Sequence, residues 1–109
     1  MAYDEGLAQR VRESFVDQDD VVEKKMFGGL AFMVRGHMCC GVISDEMMVR
    51  VGPDQYEASL AQPHARDMDF TGRPMRGMVT VGGDGLDSEE DIASWVNRGL
   101  QFVLSLPPK

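Results

Sequence analysis

Two neighbouring thiols and two imidazoles are the side chains best suited to covalent or metal chemistry in this chain: Cys39, Cys40, His37 and His64. Thiol catalysis needs a thiolate stabilised by a helix N-terminus or a nearby cation, within reach of an imidazole. Cys39 and Cys40 instead lie in an apolar run with the pattern of a strand. Successive side chains of a regular strand point to opposite faces, so the pair is expected neither to form a disulfide nor to share a metal ion. No other Cys or His stands at ligand spacing around them, and they read as reduced, buried and functionally silent. His37 is expected in a hairpin turn and His64 in a loop after Pro63. Gly82-Gly83-Asp84-Gly85 lacks the Lys-Ser/Thr of a phosphate loop, and Asp84, Asp87, Glu89 and Glu90 would repel an anion there. The residues therefore predict no catalytic site, no metal and no cofactor.

Arginines are better placed for recognition. Arg50 falls on the alternate phase of its strand from Met47, Val49 and Val51, while Arg73 and Arg76 flank the rigid Pro74-Met75. If the sheet gathers these segments, Arg50, Arg73 and Arg76 form a positive patch ringed by Met48 and Met75. Arginine among adaptable apolar side chains is the composition of interface centres. The competing expectation is that each arginine pairs singly with an acid such as Asp67 or Asp69. Met26, Met33, Met38, Met47, Met48 and Met78 all fall on expected strands, most of them as core filling.

The chain has 109 residues, enough for one domain spanning 1–109 with a core of its own, and a formal net charge of −7. The charge is unevenly spread, at −5 over residues 1–23, +1 over 24–76 and −3 over 77–109. An acidic chain is a poor ligand for nucleic acid or anionic lipid, although the middle can still offer a local positive patch. No run approaches the roughly 18 apolar residues of a membrane span, and the N-terminus lacks a signal-peptide core, so a cytoplasmic location is expected.

The elements that must position these residues follow from hydrophobic period. Leu7, Ala8, Val11 and Phe15 form one stripe of a helix over Asp4 to about Asp17. The period then shortens to two. Strands are expected over 21–27, 30–35, 38–44 and 47–51, with Gly28-Gly29, Gly36-His37 and Asp45-Glu46 as turns. Links this short force antiparallel pairing. A short helix after Asp54, an irregular stretch over 62–67 and a strand over 77–81 follow, with a sixth short strand near Met68–Phe70 as an option. Ser88 caps a final helix whose stripe runs through Ile92, Trp95, Val96, Gly99, Leu100, Val103 and Leu104. Trp95 is expected in the main core. The order α-β-β-β-β-α-β-α predicts an α+β two-layer domain, three helices on a mainly antiparallel sheet of about five strands.

Met26-Phe27-Gly28-Gly29 after a charged strand resembles a motif of the N-terminal domain family of the TfoX/Sxy competence regulators. Met48-Val49-Arg50-Val51, then Phe70 with Gly72-Arg73-Pro74-Met75, and finally Trp95-Val96 with Gly99-Leu100 continue the likeness from about Asp4 to Leu106. The chain departs from that pattern at Met78-Val79, where many relatives have aromatic residues, and at Gly82, where proline is common. The resemblance implies a two-layer α+β fold and a role in regulating transcription of DNA-uptake genes. It supplies no catalytic residues. It also implies a stand-alone N-terminal domain, since the family's founding members carry a second, C-terminal one. Within the motif, Phe27 is expected to anchor the sheet, and Gly28-Gly29 to take a backbone path closed to residues with a Cβ.

The functional expectation is a non-enzymatic regulatory module acting through another protein. Small-ligand or enzymatic activity of a sheet-face pocket is one alternative, and direct nucleic-acid binding, which needs a basic groove with aromatic platforms, is the other.

Overall fold

Apolar residues alternating over four consecutive short segments dictate a meander, and two-residue links fix its register. The computed structural model describes residues 3–26, 28–69 and 74–107, with the side chains of residues 26, 68, 69 and 74–76 excepted. Strands β1 (Val21–Met26), β2 (Gly29–Val34), β3 (His37–Ile43) and β4 (Glu46–Arg50) pair antiparallel in sequence order. Strand β6 (Pro74–Val81) pairs with β4, and β5 (Ala65–Asp69) closes the far edge, giving the order β1-β2-β3-β4-β6-β5. Helix α1 spans Glu5–Glu13, α2 Tyr56–Leu60 and α3 Glu89–Val103. The two-layer α+β expectation holds, with six strands rather than five.

Each boundary shift has a local cause. The β2–β3 turn is Arg35-Gly36, not Gly36-His37, because both central residues take positive φ (54° and 85°). That is the turn whose twist matches a two-residue hairpin. His37 consequently belongs to β3 and is buried. Helix α1 stops at Glu13 rather than Asp17. Its last turn tightens through Ser14 N–H to Val11 O and Phe15 N–H to Arg12 O, and this brings the Phe15 ring 5.4 Å from that of Phe32, centroid to centroid. Asp4 caps α1 by accepting from Leu7 N–H at 3.1 Å. Strand β5 covers Ala65–Asp69, including part of the stretch expected to be irregular. Its Arg and Asp residues read poorly as a strand, yet charged residues are at home on a sheet edge.

All three helices feed one core. Leu7 and Val11 from α1, Phe15 from the turn that follows it, Tyr56 from α2 and Ile92, Trp95, Val96 and Val103 from α3 pack on Phe32, Val42, Met47, Val49 and Val81 of the sheet. The opposite sheet face carries a smaller cluster of Met48 and Met78, with Met38 and Ile43 against it. Methionines on an uncovered face were open to exposure, but among the described side chains every methionine is buried or half-buried. The alternation expected for β4 is therefore present, with Met47 and Val49 to the helices and Met48 away from them.

Two glycines set close approaches. Gly28 holds φ of +73°, and a Cβ on Gly29 would lie 2.3 Å from the Val42 carbonyl oxygen. Both glycines of the Met-Phe-Gly-Gly motif thus have backbone reasons to be glycine, while Phe27 lies outside the described residues. In α3, a Cβ on Gly99 would lie 2.8 Å from the Cys39 carbonyl oxygen and 2.9 Å from its sulfur. Gly99→Ala should therefore destabilise the protein by about 1–3 kcal/mol through overpacking, although alanine is the better helix former by about 1 kcal/mol. Urea unfolding checks this, and a variant at or above wild-type stability would show that α3 does not seat so closely.

One surface interaction ties α1 to the sheet edge: Arg12 Nε lies 2.5 Å from Glu23 Oε2 on β1. The Arg12 hydrogen bond holds the Glu23 carboxyl below its ordinary value. A depressed carboxyl adds stability that is present above its unfolded pKa, near 4.3, and lost as pH falls through the folded value. Because the pair is solvent-exposed, wild type should exceed Glu23→Gln by only about 0.2–1 kcal/mol at pH 7. Denaturant titrations at pH 7 and pH 3 should show that margin closing at the lower pH.

Candidate functional site

The sequence-derived chemistry is dispersed by the fold. A register shift between Phe32 and Met33 pairs Phe32 with Cys40 but Met33 with Met38, leaving Cys39 as the extra residue of a bulge. Cys39 and Cys40 therefore do not face opposite sides as a regular strand would have them. Both are fully buried in the helix-side core, and the Cys39 thiol points at the Val96 carbonyl at 4.0 Å. Burial, with the adjacent Cys39 contributing, pushes the Cys40 thiol well above the ordinary thiol range. His37 Nε2 lies 2.7 Å from the Pro107 carbonyl oxygen, pinning the chain after α3 to β3. His64 is exposed before β5. Among the described residues no three His, Cys, Asp or Glu side chains group as metal ligands.

Of the arginine patch, Arg50 and Met48 are in view. Met48 is buried with Met78, and the Arg50 guanidinium carbon sits 5.2 Å from the centroid of the Phe102 ring. Arg50 pairs with Met78 across β4–β6, and Gly52 N–H bonds to Gly77 O, so the backbone of residue 76 runs beside the segment that follows Arg50. Arg73 lies outside the described residues, as do the side chains of Met75 and Arg76.

The concave feature of the described surface is one that the sequence reading passed over. Three open hollows of about 300, 300 and 290 Å³ adjoin along one flank of α3, and Arg98 lines all of them. The first lies between α3 and the loops around His64 and Gly85, with Asp84, Asp91 and Trp95 in its walls. The middle one is lined by Gln55, Ser94, Asn97 and Gln101 besides Arg98. The third runs under the 3-10 turn Pro53–Gln55 to Phe102 and Ser105. Together they form a trough between α3 and the segment leading into α2.

Arg98 is held at its centre. Its guanidinium carbon lies 5.2 Å from the Trp95 ring centroid, and its Nη1 donates to Ser59 Oγ at 3.1 Å. Ser59 is itself fully buried in α2, so the hydrogen bond joins the two helices. Arg10, Arg12 and Arg66 each meet a glutamate, Glu89, Glu23 and Glu46 respectively, within 2.7 Å. Among the described residues Arg98 meets no carboxylate. A half-buried guanidinium, oriented by an aromatic face and a hydroxyl and without a carboxylate among the described residues, has the planar donor geometry that matches a carboxylate. A signal for it exists in the sequence. Arg98 is the only basic residue of α3, three residues after Trp95 and four before Phe102, the spacing at which helical neighbours meet.

Neither thiol should react with a soluble disulfide reagent while the protein is folded, and both should react on unfolding; native labelling at pH 8 on the timescale of a free thiol would contradict their burial.

No curated protein and no solved structure matches the chain. A family model does, that of the TfoX N-terminal domain, over residues 13–103. That span runs from the last residue of α1 through all six strands to the last residue of α3, taking in the trough and the Met-Phe-Gly-Gly turn, and the chain belongs to the TfoX N-terminal domain family.

Proposed function

We propose that the domain is a non-enzymatic regulatory module, of the competence-regulator kind, that acts by binding a protein partner along the α3 trough. The observation that carries this reading is Arg98, a guanidinium fixed in place by Trp95 and Ser59 with no carboxylate among the described residues. The lining supports a protein partner over a small molecule, because amides, hydroxyls and charges dominate it where small-molecule pockets are mostly apolar. The net charge of −7 disfavours nucleic acid as the direct partner. Arg50, Arg73 and Arg76, with Met75, are proposed as the continuation of the contact surface beyond the Phe102 end of the trough, while Met48 lies buried with Met78 and gives such a surface almost no exposed atoms.

Photo-crosslinking amino acids placed at Asn97 and Gln101, both in the trough wall, test this in the native cell. The same protein should be captured from both positions and not from Lys24, which is exposed on the edge strand β1. In an Arg50, Arg73, Arg76→Glu background the yield should fall severalfold; undiminished capture would retire that part of the surface. Absence of any trough-specific adduct would overturn the proposal as a whole.

A further inference from the structure

Resting on the proposal that the trough receives a protein, we infer that its occupant is an extended segment of about six residues with a carboxylate side chain near its centre and basic side chains toward its ends. The trough runs along α3 from Asp91 to Ser105 in the turn just past the helix, and fourteen residue steps at about 1.5 Å each make about 21 Å. An extended chain at about 3.3 Å per residue covers that length in about six residues. A helix laid in the same trough would need twice as many residues and would leave its own backbone groups satisfied, with no use for the lining.

The lining fits an extended backbone. Gln55, Asn97 and Gln101 crowd the middle hollow and Gln62 the first. Each carboxamide offers a donor and an acceptor, the complement of peptide N–H and C=O groups that an extended segment leaves unpaired. The middle hollow has no carboxylate in its walls, so the partner's acid meets Arg98 without local competition. At both ends the sign reverses, since Asp84 and Asp91 line the first hollow and Asp54 the third, and none of them pairs with a cation among the described residues. Asp91 lies seven helical residues, or about 10 Å, from Arg98, which places a basic side chain of the partner two to four residues from its acid. A free carboxylate or phosphate would engage Arg98 alone and gain nothing from the amide row. A nucleic-acid strand would bring its phosphates against Asp84 and Asp91.

The test is selection of a displayed random dodecapeptide library on the whole domain, followed by titration of the consensus peptide. Trp95 is the only tryptophan and walls the trough, so its emission reports occupancy directly. Selected peptides should carry Asp or Glu at one fixed position with Lys or Arg two to four residues away. Changing the peptide's acid to its amide, or Arg98→Gln in the domain, should each weaken binding at least about tenfold, and the two together by little more than either alone. Arg98→Lys, which keeps the charge and loses the planar fork, should fall between. A domain variant that melts well below wild type is replaced in the cycle by the amide-for-acid peptide, which leaves the protein intact. Peptides without a fixed acid, equal binding to Arg98→Gln, failure to select any peptide, or equal displacement by free glutamate would each overturn the inference. A partner captured at Gln101 together with acid-independent peptides would leave the broader proposal standing and remove this one.

Discussion

The close seat of α3 on the bulge of β3 is the contact on which the remaining geometry depends. Gly99 has no side chain to hold the helix away, and the Cys39 carbonyl and sulfur occupy the space a methyl group would need. With that contact made, Ile92, Val96 and Val103 reach the sheet on either side of it, and Trp95 is carried to the edge of the core. A helix lifted by a methyl would unseat all four, because protein interiors are packed too densely to absorb the shift locally. The same seat sets the distance between α3 and α2 at which Arg98 reaches Ser59.

Electrostatics then set two groups of arginines apart, with Arg35 of the β2–β3 turn in neither. Those bonded to glutamates lie on the outer surface, where pairing contributes little to stability. Arg50 and Arg98 lie against aromatic rings of α3 instead, each half-buried and each without a carboxylate among the described residues. Stacking on a ring keeps a guanidinium oriented while leaving its in-plane hydrogen-bonding edge available, and that edge is what recognises a carboxylate. The folded domain thus holds two oriented guanidiniums against α3 in a molecule whose terminal segments are acidic.

Much of the architecture was legible because it rests on period and turn chemistry. The α3 stripe, the Ser88 cap, the four-strand meander and the alternation of Met47 and Met48 all follow from local pattern, as does the core position of Trp95. What was not legible depends on events between distant residues. Nothing near Cys39 announces a bulge; it arises from pairing with Phe32 and Met33, and it alone turns both thiols to the same side. β5 was obscured because Arg66 and Asp67 have low strand propensity, and only their place at an edge makes them tolerable. The trough was missed for a related reason. Its polar walls come from α3 and from the segments on either side of α2, far apart in the chain, and a search for catalytic spacing has no reason to pair Gln55 or Gln62 with Arg98.

The edges of the sheet decide how it can meet other chains. β1 and β5 each have one side unpaired, and each carries charge: Glu23, Lys24 and Lys25 on one, Arg66 and Asp67 on the other. Two copies joined antiparallel in the register centred on Lys24-Lys25 would set the lysines of one against those of the other, a cross-strand arrangement that repels. Lysine at an open edge is the usual guard against runaway strand addition and fibril growth. A visiting polypeptide therefore finds ladder extension obstructed by charge at the rim of the sheet, and the welcoming backbone partners of this domain are side-chain amides on its helical side.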